Sequence, residues 1–205
     1  MTNESKGISL DPYSNYYDLM APAEKSGFRK KQMRLITLQE GDRVLDVGCG
    51  TGAMSILAKH AVGDGGEVQG VDIAPKMVQK SRKKAVVYDL SIGFSVASID
   101  ELPFSDEHFD VIISNMMFHH LPVPIKQGGL KECHRVMKEG GNFYLSDFCT
   151  PRLFTAPLMA LMFLWRKSTR FQLLGKLPGL MEASGYRQIT LLKKGAFLKY
   201  YRLSK

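Results

Sequence analysis

The stretch VLDVGCGTG, Val44 to Gly52, decides how the rest of the chain is read. Apolar and β-branched residues surround a single aspartate, Asp46, and glycine then stands at positions 48, 50 and 52. A glycine accepts positive φ and lets a ligand lie against the main chain. A short buried strand that runs into such a loop, with a helix opening behind it, places bare amides where a ligand can meet them.

Working outward, strand and helix patterns alternate. RVLDV (43–47) reads as a strand and MSILAKHA (54–61) as a helix. EVQGVDI (67–73) reads as a second strand, and PKMVQKSRKKAVVYD as a helix opened by Pro75. FSVAS (94–98) is a third strand and FDVIISN (109–115) a fourth, apolar throughout Val111–Ile113 as a strand covered on both faces must be. IKQGGLKECHRVMKE (125–139) is expected to be a helix weakened by Gly128 and Gly129, followed by a Gly140-Gly141 turn and the strand NFYLSDF (142–148). A last helix ending at Gly185 and a hairpin turning at Lys194-Gly195 close the chain. This alternation predicts an α/β, Rossmann-like, doubly wound and mostly parallel seven-stranded sheet with an antiparallel C-terminal hairpin.

With 205 residues, one domain over 1–205 is expected. Its parts would be an N-terminal helical lid (1–40), a cofactor-binding core (41–148), an apolar and basic substrate cover (151–175), and the last helix and hairpin (176–205). The chain is 44% hydrophobic and 23% charged, an ordinary globular balance. Three cysteines, Cys49, Cys133 and Cys149, without a CxxC spacing argue against a disulfide framework or a zinc knuckle, and no metal is required. The first residues lack a basic stretch followed by an apolar core, so a cytoplasmic protein is expected, with peripheral membrane contact as a further option. The net charge of +8 is uneven: of 28 Lys+Arg and 20 Asp+Glu, 11 and 1 fall after Thr150, a balance of +10 for that quarter. Such a quarter fits an anionic surface or is simply a solvated face.

In a doubly wound sheet the ligand lies beyond the carboxyl ends of the strands, beside strand one, where the glycines stand. Asp72, twenty residues past Gly52 at the tip of strand two, is placed to hold a ribose diol. A dinucleotide fingerprint would read GxGxxG; here it is Gly48-Cys-Gly50-Thr-Gly52. A dehydrogenase on the same sheet is therefore a distant reading.

Together, DVGCGTG, VDIAPKMV, IDELPFSDEHFDVIISNMMFHHL and ECHRVMKEGGNFYLSD resemble the class I S-adenosylmethionine-dependent methyltransferases, methyltransferase type 11 group. The nearest resemblance is to the ubiquinone/menaquinone C-methyltransferases, over residues 13 to 148. It implies S-adenosyl-L-methionine as cofactor. On this resemblance, Asp46, Gly48, Cys49, Gly50 and Gly52 lie along the methionine part and Asp72 takes the ribose hydroxyls. Ile73, Met77 and Ile99 surround the purine, and Asn115, at the end of strand four beside Met116, offers its backbone carbonyl to the cofactor's amino group. One departure is Ser98, where the family usually has an aspartate for the adenine amino group; Asp100 is near enough to substitute.

Methyl transfer from a sulfonium needs positioning and water exclusion, and a base only if the acceptor must lose a proton. His119 and His120, directly after strand four, suit that base, with His119 favoured; either can instead serve as a cap. Cys49 sits inside the cofactor loop and reads as a small side chain. Met116, where arsenite methyltransferases have a cysteine, disfavours a metalloid acceptor. The absence of an Asn-Pro-Pro-Tyr type sequence after strand four disfavours amino methylation of adenine or glutamine.

Tyr13 and Tyr17 are candidate substrate residues of an aromatic lid, and Asp147, at the end of strand five, a third. PRLFTAPLMALMFLWRKSTRF (151–171) is too short in its apolar part to span a bilayer and ends in Trp165-Arg166-Lys167, which suits a helix lying at a lipid surface. Ordinary lid packing or a dimer contact would produce the same pattern. These features favour a small, lipophilic acceptor, a quinol-like ring or a lipid amine. Two rivals stand beside it: an RNA or protein methyltransferase using the basic quarter, although a nucleic-acid partner is the weaker reading, and a non-catalytic cofactor-binding subunit. Oligomeric state is open at this level.

Overall fold

Val44, Leu45 and Val47 are completely buried, and they divide between two apolar cores. Val44 packs with Met54, Ala58, Val62, Val68 and Ile113. Leu45 and Val47 pack with Phe109, Ile112, Leu130 and Phe143. Alternate side chains of a strand point to opposite faces, so this division means a sheet covered on both sides.

The computed structural model describes residues 27–149, 167–195 and 198–205. Along them run α1 (Gly27–Met33), β1 (Arg43–Val47), α2 (Ala53–Val62), β2 (Glu67–Asp72), α3 (Pro75–Val87), β3 (Gly93–Val96) and β4 (Phe109–Asn115). A one-turn 3-10 helix (Phe118–His120) and α4 (Val123–Val136) lead to β5 (Met137–Phe148). Then come α5 (Lys167–Leu173), α6 (Leu177–Glu182), β6 (Gln188–Lys194) and β7 (Leu198–Ser204). The seven strands form one sheet in the order β3-β2-β1-β4-β5-β7-β6. β1 to β5 pair in parallel, and β7 runs antiparallel to both of its neighbours. The expected mostly parallel sheet with an antiparallel C-terminal hairpin is therefore the fold.

The order reverses beside β1: the chain steps from β1 to β2 and β3 on one side, then crosses to β4 on the other. A crevice opens at the carboxyl ends at such a reversal. Arg135 ties α4 to the loop leading into β4. Its guanidinium donates to Glu132 through Nε and Nη2 at 2.8 Å each, to Asp106 at 2.7 Å and to the Phe104 carbonyl at 2.8 Å.

The helix expected over 125–139 ends at Val136. Met137 is fully buried and pairs with Phe109 of β4, so the ladder claims it. Gly140, with φ +75°, and Gly141 form an irregularity inside β5 instead of a turn before it. A β-carbon on Gly141 would come within 2.9 Å of the Asp110 carbonyl, so only glycine fits there. The last helix likewise stops at Glu182, three residues before Gly185 with its φ of +97°.

Candidate active site

At the reversal point, Gly48, Gly50 and Gly52 have φ of +72°, +55° and +84°. Side-chain-bearing residues seldom adopt that region, which accounts for the residue type at all three. Their surroundings differ. A β-carbon on Gly48 would lie 2.3 Å from Met117 Cγ, and one on Gly52 would lie 2.9 Å from Ser81 Cβ and 3.1 Å from Phe94 Cζ. One on Gly50 would meet no atom within 4 Å. The protein itself crowds two of these glycines; only Gly50 faces open space.

Asp72 is fixed at the tip of β2 by main-chain donors. Gly50 N donates to its Oδ2 and Ala74 N to its Oδ1, each at 2.9 Å. The loop and the carboxylate one strand away are thus one unit. The loop is tied again to β2 through Gly48 N and Cys49 N, both of which donate to the Val71 carbonyl.

Asp46 is buried at the end of β1 and accepts from Ser55 Oγ at 2.6 Å. Burial pushes its carboxyl up to about 6, against the opposing effects of the Ser55 bond and the Arg29 guanidinium on α1. Cys49 is buried with Val78, Ala85 and Phe94, and burial followed by the Asp46 and Asp72 charges raises its thiol well above the usual range. That chemistry makes Cys49 a packing residue and not a nucleophile.

On the side expected for the purine, Ile73 is half-buried and Met77 is buried. Ser98 lies beyond β3 and donates to Asp100 Oδ1, which joins the two residues that sequence reasoning weighed as alternatives. Ile99 is buried against α4: a β-carbon on Gly129 would come within 2.8 Å of its side chain, and one on Gly128 within 2.9 Å of Asp100 Cβ. The glycine pair that weakens α4 is the seat on which the 98–100 loop closes.

At the end of β4 the backbone turns sharply. Met116 has φ +55°, a conformation that a side-chain-bearing residue keeps only where its surroundings impose it. Its amide donates to the Ser146 carbonyl at 2.8 Å. The Asn115 side chain points into a polar group, where it pairs with Gln32 of α1 (2.7 and 3.2 Å) and accepts from Ser146 Oγ at 2.5 Å. Gln32 was not anticipated; it lies on a helix whose docking the sequence does not specify.

His119 is buried in the 3-10 turn and meets Asp147 twice, through Nδ1 to Oδ1 at 2.8 Å and through its amide to Oδ2 at 3.0 Å. Burial pushes the Asp147 carboxyl up, but the His119 ring, the Phe148 amide and the Gln172 side chain outweigh it and hold it below the ordinary value. The His120 ring lies 3.9 Å from that of His119 and is only partly buried. Lys126 of α4, which sequence reasoning missed, is completely buried beside this pair. Its Nζ donates to the Leu121 carbonyl at 2.6 Å and lies 5.6 Å from the Phe171 ring centre. Burial lowers its pKa to about 8, with Asp147 opposing. Tyr13, Tyr17 and residues 151–166 lie outside the described residues. Among the described residues no helix is long and apolar enough to cross a membrane.

These residues fit the expected cofactor. The open face at Gly50 beside a fixed acid at the tip of β2 is a cradle that a side chain on the loop would fill. Fold and site together define a Rossmann-like domain with a ligand cradle at the reversal point of its sheet. Residues 44–141 match the methyltransferase domain family. It is 33% identical over 127 residues to demethylmenaquinone methyltransferase from Listeria monocytogenes, covering 62% of this chain and 53% of that protein. The enzyme of the same name from Alkalihalophilus pseudofirmus is 31% identical over 142 residues, 67% of this chain and 59% of that one. The chain spans about half the length of the curated relatives it matches. In fold it is similar to a SAM-dependent methyltransferase from Aquifex aeolicus, with a TM-score of 0.74 and 21% identity over 94% of this chain and 97% of that one.

Proposed function

We propose that this protein transfers the methyl group of S-adenosyl-L-methionine to a small lipophilic acceptor, a quinol-type ring. When bound, the cofactor supplies a methyl group on a positively charged sulfur that is already activated for displacement. The chain's own contribution is to bind, to orient and to move a proton. Asp72, held by two amides, takes the ribose hydroxyls; Gly50 lets the ligand lie against the loop; ionised Asp46 faces the positively charged methionine part.

The observation that carries the reading is the buried pair of His119, beyond the end of β4, and Asp147, in the last residues of β5. With Nδ1 directed at the carboxylate, Nε2 is the atom that accepts a proton from an acceptor hydroxyl, and Asp147 stabilises the imidazolium so formed. Loss of that proton turns a quinol ring into a strong nucleophile. The curated relatives carry the name demethylmenaquinone methyltransferase, which supports an acceptor of this kind. The 151–171 segment, apolar and then basic, serves in this reading to meet a lipid surface where such an acceptor is dissolved.

The test supplies donor carrying a labelled methyl group to a cell extract, with the organic phase then separated from the aqueous one. Label in the organic phase, lost with His119→Ala, is the expected result. Label confined to polymeric or water-soluble material overturns the lipophilic acceptor.

A further inference from the structure

Arg29 stands on α1 with its Nε buried and without a hydrogen-bond partner among the described residues. A guanidinium cannot shed its charge, so a buried donor left unmade on it is costly, and native structures rarely keep one without a use. Its position gives the use. Gln32, three residues further along α1, is buried and pairs with Asn115 at the end of β4, and the helix also packs on α2. α1 is thereby pinned beside the crevice, where the Arg29 charge acts on the Asp46 carboxyl of β1. Among the described residues no ion pair joins the two, and the carboxyl accepts from Ser55 Oγ at 2.6 Å. Lys84 of α3 also reaches the glycine loop, but its ammonium donates to Thr51 Oγ1 at 2.9 Å. A buried acid and a guanidinium with an unmade donor therefore lie at the same end of the crevice without bonding each other.

We infer that Arg29 binds the carboxylate on the methionine part of the methyl donor. This rests on the donor assignment above and deepens it, whichever acceptor is methylated. The methionine part of S-adenosyl-L-methionine is a zwitterion, with an ammonium and a carboxylate on one carbon. A receptor for it needs an acid and a cation that are near each other and not bonded to each other, as Asp46 and Arg29 are. The ammonium goes to Asp46. The carboxylate goes to the Arg29 guanidinium, whose planar fork of donors matches two oxygens at once and whose Nε gains the partner it lacks.

The experiment titrates full-length protein by calorimetry with two probes, S-adenosylhomocysteine and its decarboxylated analogue S-adenosyl-3-thiopropylamine, which keeps the nucleoside and the ammonium. The proteins are wild type, Arg29→Met and Arg29→Lys, with the Tm of each measured without ligand. Wild type is expected to bind S-adenosylhomocysteine about tenfold more tightly than the analogue. Arg29→Met is expected to lose about tenfold on S-adenosylhomocysteine and nothing on the analogue, and Arg29→Lys to recover part of that loss. The ligand-free Tm is expected not to fall, since a buried unmade donor has gone. An arginine that only holds α1 in place would lower Tm and weaken both probes alike, which overturns the inference. Equal binding of S-adenosylhomocysteine by wild type and Arg29→Met also overturns it, with the donor assignment still standing. Wild type that binds neither probe overturns both.

Discussion

His119 Nδ1 lies 2.8 Å from Asp147 Oδ1, and the other oxygen of that carboxylate takes the His119 amide. The double contact fixes the ring orientation, and in the proposed reading Nε2 is the atom that takes the proton. Replacing His119 with Ala is expected to lower kcat by about a hundredfold or more while donor affinity stays within a factor of two. Asp147→Asn, which keeps the volume, is expected to do most of the same damage, because an amide no longer stabilises an imidazolium. Donor binding by calorimetry alongside initial rates checks both, and an unchanged rate with His119→Ala removes the assigned base.

The Asp72 carboxylate holds the loop by way of the Gly50 and Ala74 amides. Asp72→Ala loses both bonds and the proposed ribose contact. Donor affinity is expected to fall by at least tenfold, with a stability loss of about 1–3 kcal/mol for two orphaned amides. Asp72→Asn, which can still accept at one atom, should fall between. Equal donor affinity in all three proteins would show that the ribose is held elsewhere.

Gly48 and Gly50 separate packing from ligand contact. Gly48→Ala drives a β-carbon into Met117 and should destabilise the protein, with partial rescue by Met117→Ala. Gly50→Ala meets no protein atom, so its stability cost is only that of a positive φ, about 1 kcal/mol. Its donor affinity is nevertheless expected to fall sharply. Thermal unfolding and donor titration of the two variants should therefore rank them in opposite orders.

Asp46 titrates at about 6 in the folded chain, against an ordinary 3.8. Because the folded value is raised, ionising this group costs stability. The cost is absent below pH 3.8, grows as pH rises from about 4 to 6, and reaches about 3 kcal/mol above that. Asp46→Asn is expected to flatten this slope in urea unfolding between pH 4 and 7. A positively charged donor prefers the ionised carboxylate, so donor affinity should rise over the same interval in the wild type and not in the variant.

Much of this was legible in the local sequence because it depends on local chemistry. β-branched runs that end at glycine mark strands entering turns, and the spacing from Gly52 to Asp72 is one helix and one strand long. That is enough to give the order of elements, the parallel sheet and the acid beside the loop. His119 and Asp147 could each be named, since each directly follows or ends an apolar strand.

Their meeting could not be read, because they are 28 residues apart and come together only when β4 and β5 pair. The same holds for Lys126, an ordinary helical lysine in sequence that becomes a buried cation only when α4 docks. The glycine pair at 128–129 looked like a flaw in a helix and is the seat for Ile99 and Asp100. Sequence alone determined which residues prefer which backbone, because those preferences act over a few bonds. Tertiary structure decided which side chains lose water and which charges face each other, because burial and Coulomb energy depend on neighbours that the chain brings in from far away.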